Sequence, residues 1–93
     1  MAKKENAALV ELFRLVREYL GKNPSEDKCH QALIYLLNGV NAIEEDVVVS
    51  NFQQHWLNIK DDIKNFADPA TFRLHELQIN QKINKILDPE MAR

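Results

Sequence analysis

The sequence predicts an all-α protein, a compact antiparallel four-helix bundle, on three observations. Its apolar residues recur at steps of three and four over stretches long enough for several helical turns. Its two glycines and three prolines fall at or beside the ends of those stretches, where helices start and stop. No segment alternates apolar and polar residues for long enough to build a strand. The helices are expected at about 5–20, 24–38, 51–66 and 69–87, with a short acidic helical turn at about 42–48.

The first helix carries two neighbouring apolar stripes, Leu9, Phe13, Val16, Leu20 and Ala8, Leu12, Leu15, Tyr19, which together form one broad face. Gly21 follows as a C-terminal cap, because glycine enters the left-handed conformation without strain from a Cβ. The second helix has a start signal in Asn23, Pro24 and Glu26: a cap, a preset φ at the first helical position and a carboxylate that can reach back to the cap. Cys29, Ala32, Leu33, Ile34, Leu36 and Leu37 spread around most of its circumference, as in a helix that is central or covered by a partner, and Gly39 should end it.

Ser50 with Gln53 reads as a capping box for the third helix, whose Phe52, Trp56, Ile59, Ile63 and Phe66 form a heptad seam. Asp68 and Pro69 end that helix and start the fourth. There Phe72, Ile79, Ile83, Ile86 and Leu87 make a second seam, interrupted at Glu76 and widened by Leu74 and Leu77. Asp88 and Pro89 close it. Between the second and third helices, Asn41 and Glu44 fit another capping box, and Glu44, Glu45 and Asp46 suit the positive end of a helix dipole. An unbroken run into the third helix would set Ile43 and Val47 roughly 140° around the axis from Phe52, so the stripe is expected to break near Ser50.

A chain of 93 residues makes one helical domain, 1–93, with 1–5 and 89–93 expected as flexible tails. With 45 % hydrophobic and 28 % charged residues it has the composition of a globular protein. Its longest apolar run is six residues, 32–37, against the roughly 20 that span a bilayer, and no apolar run follows the first lysines as in a signal peptide. One cysteine, Cys29, can form no internal disulfide, which fits a reducing cytoplasm. Net charge is −2 but unevenly spread: residues 23–50 carry one basic and five acidic side chains.

Few residues suggest chemistry. His30, His55 and His75 sit on three different predicted helices, without the Glu-x-x-His pairs of di-metal bundles, so no metal and no cofactor are expected. Cys29 shares a stripe with Leu33 and Leu36 and reads as a small core residue rather than a nucleophile. Asp61 and Asp62 are adjacent on a helix and so point about 100° apart. No catalytic residue is expected, and the chain is not read as an enzyme. A helix-turn-helix is the alternative, as a small nucleic-acid-binding transcriptional regulator. Its recognition helix would open with Glu44, Glu45 and Asp46, which phosphates repel, so nucleic acid is not the favoured partner.

Protein association remains. Four helices with seams this broad carry more apolar surface than one small bundle needs, and self-association would cover the surplus. The expected function is that of a non-catalytic helical protein acting through protein-protein association, as adaptors, chaperones, immunity proteins and antitoxins do. Its partners would be itself, as a homodimer, and another protein. The expected contact residues are Glu44, Glu45, Asp46, Val47, Val48 and Val49, the valines because a short connector cannot easily bury all three; the alternative for the valines is a core plug under the connection.

Overall fold

The structure, a computed structural model, describes residues 7–88. The two expected tails, 1–5 and 89–93, and the first two residues of the first predicted helix lie outside the described residues. Four helices fold into the expected bundle: α1 (Ala7–Leu20), α2 (Glu26–Asn41), α3 (Asp46–Lys64) and α4 (Pro69–Leu87).

In α1 the two sequence stripes separate. Leu9, Phe13, Val16 and Leu20 are buried, whereas of the second stripe only Leu12 is half-buried and Leu15 and Tyr19 face solvent. Gly21 adopts φ 69° and its N–H donates to the Arg17 carbonyl at 3.1 Å, the left-handed cap expected from sequence.

The start of α2 lies two residues later than predicted. Ser25, not Asn23, is the cap: its Oγ accepts the Lys28 N–H at 3.2 Å, and the Cys29 N–H donates to its carbonyl at 3.1 Å. Pro24 therefore precedes the helix, and Glu26 and Asp27 occupy the first turn, where the dipole favours carboxylates. Gly39 does not end α2. The helix continues through it to Asn41 and buries Val40. A Cβ on Gly39 would lie 2.6 Å from Leu12 Cδ2, so the missing side chain is what lets Leu12 of α1 lie across α2. Gly39 is a glycine of close approach, not of termination.

The predicted acidic turn at 42–48 is absent. Residues 43–45 are non-helical, and α3 begins at Asp46 with Glu45 as a cap that makes no side-chain bond. Val47, Val48 and Val49 form the first turn of α3, and Ser50 lies within the helix rather than capping it. Packing explains the shift. Val49 extends the seam one step back, so that 49, 52, 56, 59 and 63 follow steps of three, four, three and four, all buried. Burying a valine contributes about 1.5–3 kcal/mol, against about 1 kcal/mol for a serine cap. At the other end α3 stops at Lys64, so the predicted seam residue Phe66 falls outside it and is 39 % exposed, while Ala67 is buried instead.

α4 spans the predicted residues. Asp68 caps it, accepting from Thr71 N–H and Thr71 Oγ1 at 3.0 Å each, and Pro69 takes the first turn. Phe72, Ile79 and Ile83 are buried and Ile86 packs beside them. Leu74 and Leu77 do not widen this seam; both are exposed.

The helices form two antiparallel hairpins. Leu12 lies by Gly39 and Tyr19 by Lys28, which sets α1 against α2; Trp56 meets Asn80 and Lys60 meets Glu76, which sets α3 against α4. α2 packs along α4, α1 touches α3 through Phe13, Phe52 and His55, and α1 and α4 do not meet among the described residues. Trp56, Phe52, Leu33 and Leu36 lie fully buried at the centre, together with Cys29, and no polar or charged residue among the described ones is fully buried.

Candidate functional site

A strongly apolar concavity lies between α1 and α2. It encloses about 360 Å³ and is lined by Leu12, Leu15, Val16, Tyr19 and Tyr35, with almost no polar surface. Local structure places each of them. Leu12, Leu15 and Tyr19 belong to the second α1 stripe, which α2 covers only in part. Val16 belongs to the buried stripe and forms the floor, and Tyr35 rises from α2 on the opposite side. Leu15 and Tyr35 are each 50 % exposed and Tyr19 is 40 % exposed. The two tyrosine rings meet edge to face, centroids 6.3 Å apart at 74°, and Lys28 Nζ sits 5.4 Å above the Tyr19 ring.

Charge borders this groove unevenly. On the outer side of α1, Arg14 bonds Glu18 through one terminal nitrogen at 2.6 Å and Glu11 through Nε at 3.1 Å and its other terminal nitrogen. That hydrogen bonding holds the Glu11 carboxyl below its ordinary value and the guanidinium above its own.

The hollow between α3 and α4 differs in chemistry. It is larger, about 590 Å³, and mixes Phe72 and Leu77 with Lys64, Arg73, Glu76 and Asn80. Two of its polar groups are engaged across the helices, Glu76 with Lys60 at 3.4 Å and Asn80 Oδ1 with Trp56 Nε1 at 3.2 Å. Glu76, the break in the α4 seam, thus has a partner on α3, and Lys60 is half-buried rather than a simple surface residue.

The structure divides the predicted contact residues. Glu44, Glu45, Asp46 and Val47 are exposed where the connector enters α3; Val48 is half-buried against the core; Val49 is wholly buried and unavailable to a partner. Sequence reasoning overlooked Tyr35 and joined the second α1 stripe to the first as one broad face. The signal was present in α1, since two parallel stripes exceed what one neighbouring helix covers.

Cys29 is buried, and that burial, with Glu26 nearby, pushes its thiol up, away from a reactive thiolate. His30 Nε2 is buried without a hydrogen-bond partner, His55 stacks on Phe13 at 5.0 Å, and His75 Nδ1 lies 3.0 Å from the Thr71 carbonyl. Among the described residues, no three His, Cys, Asp or Glu side chains group as metal ligands would, and no helix is long and apolar enough to cross a membrane. No protein-family model, curated protein or solved structure matches this chain.

Proposed function

We propose that this protein acts without catalysis, by protein association, and that it self-associates through the α1–α2 face. The observation that carries this reading is the groove itself: Leu15, Tyr19 and Tyr35 stand together in solvent around an apolar hollow. Contiguous apolar surface of this kind is what association removes from water, and tyrosines are favoured there because they contribute large contact area with few rotors to immobilise. The contact surface assigned to the connector narrows to Glu44, Glu45, Asp46 and Val47, an acidic exposed strip suited to steering a second, protein partner in the cytoplasm.

Sedimentation velocity over a concentration series tests the proposal. The wild type is expected to form a dimer, and a monomer persisting at about 100 μM, where interactions weaker than the micromolar range are already populated, would overturn it. Leu15→Glu is expected to weaken the dimer about tenfold or more by placing a charge in the contact, whereas Leu77→Glu, at an equally exposed leucine of α4, leaves it unchanged. Equal effects of the two substitutions would remove the α1–α2 face from the interface.

A further inference from the structure

The two borders of the α1–α2 groove carry opposite charge. On the α1 side, Glu11 and Glu18 share the single guanidinium of Arg14, leaving that cluster a net negative charge. On the α2 side stands Lys28. At 100° per residue it lies about 20° around the helix from Tyr35, whereas Asp27 and Glu26 lie about 80° and 180° away. Gln31 and Asn38, which flank Tyr35 on the same face, are uncharged. The two borders also share a level along the groove, because Glu18 adjoins Tyr19 in sequence and Lys28 sits over the Tyr19 ring.

A groove with one anionic and one cationic edge complements itself in one orientation. A two-fold axis along the groove turns left into right and preserves height, so it brings the α1 border of one copy onto the α2 border of the other. An axis across the groove sets the Glu11 and Glu18 border on its own copy, where like charges repel. We infer, resting on the self-association reading above, that the occupant of the groove is a second copy of this chain, related by a two-fold axis parallel to the groove. In that dimer α1 packs against the α2 helix of the other copy. Tyr35 seats between Leu15 and Tyr19 of its counterpart, and Glu18, already held by Arg14, faces the partner's Lys28. Four helices, two from each copy, then enclose apolar surface that one copy leaves open. The acidic residues Glu44, Glu45 and Asp46 follow the C-terminal end of α2, at the opposite end of the groove from Lys28, and take no part in this pairing.

A charge-swap cycle read by sedimentation equilibrium, at low and at high salt, tests the orientation. Lys28→Glu and Glu18→Lys should each weaken the wild-type dimer about tenfold. Each copy of the doubly substituted chain carries both reversals, so the double variant should return to within about threefold of wild type, and salt should compress all these differences. Both positions are exposed, and circular dichroism of each variant confirms that helicity is kept; Lys28→Gln and Glu18→Gln, which remove charge without reversing it, should give smaller losses in the same order. If the wild type dimerises but the single reversals change nothing, or the double variant shows no recovery, the orientation is wrong while self-association stands. If Glu45→Lys weakens the dimer and Glu18→Lys does not, the axis runs across the groove. A wild type that stays monomeric removes both readings.

Discussion

Between α3 and α4 the helix contact is spanned by side-chain bonds, Trp56 to Asn80 and Lys60 to Glu76, whereas between α1 and α2 the corresponding edge is left to Leu15, Tyr19 and Tyr35. Both hairpins are antiparallel, and both send one apolar stripe into the shared core. They differ in what lies beside that stripe. In α3 and α4 the positions beside it include groups that satisfy one another, and in that sense the hairpin is finished within one chain, although Leu57, Leu74 and Leu77 stay exposed on its helices. In α1 and α2 the neighbouring positions are apolar, and burying them needs surface from elsewhere. Apolar residues in a small bundle therefore serve two ends, and what separates them is whether polar partners stand at the edge of the packed stripe.

The largest expected effect breaks the finished hairpin. Trp56 is fully buried, lies nearly parallel to Phe72 with centroids 6.3 Å apart, and donates to Asn80. Trp56→Ala should cost about 3–5 kcal/mol in chemical denaturation, by loss of contacts and the cavity left behind. Trp56→Phe keeps most of the volume and leaves Asn80 Oδ1 without its donor, so it should cost about 1–3 kcal/mol. Equal costs would show that the bond to Asn80 carries most of the effect and the volume little.

A smaller effect sharpens the open hairpin. Gly39→Ala should gain about 1 kcal/mol of helix propensity, but the new Cβ drives the end of Leu12 out of its place across α2. Leu12 is half-buried at the groove and can swing, so the net change in stability should stay within about 1 kcal/mol. The displaced leucine then fills part of the groove, and self-association should weaken although nothing charged was altered. Combining the substitution with Leu12→Ala relieves the clash. Full propensity gain from Gly39→Ala alone, with unchanged association, would show that Leu12 does not shape the contact surface.

Much of the fold was legible because period and punctuation agreed. α4 was readable at both ends, since Asp68, Pro69 and the seam beginning at Phe72 all require the same start. The errors lie where a local signal competed with packing. Ser50 and Gln53 make a plausible capping box, but a cap is worth less than burying Val49, so the helix begins upstream and the box goes unused. Gly39 looks like a terminator because helix-ending glycines are common, and only the position of Leu12 on another helix shows why it lies mid-helix. The groove was half legible. The second α1 stripe announced surplus apolar surface, but which element would leave it uncovered depends on the absence of contact between α1 and α4, a property of the assembled bundle that no local pattern contains.

The smallest expected effect concerns the cap that begins α4. α4 starts on a carboxylate whose hydrogen bonds from the Thr71 backbone and hydroxyl hold Asp68 below its ordinary pKa. A lowered value in the folded state means that the unfolded chain takes up the proton first as pH falls. The contribution of Asp68 is then fully present above the unfolded value of about 4 and is lost as pH drops through the folded one. Glu11 on α1 titrates with the same sign through Arg14, so the wild-type acid profile sums both hairpins. Subtraction separates them. The gap in melting temperature between wild type and Asp68→Ala should be constant from about pH 7 to pH 5 and shrink below about pH 4, while Glu11→Gln keeps that gap and alters only the remainder. A gap that held its size down to about pH 2 would mean that Asp68 caps α4 equally well as a neutral acid, and that the turn from α3 into α4 rests on hydrogen-bond geometry rather than charge.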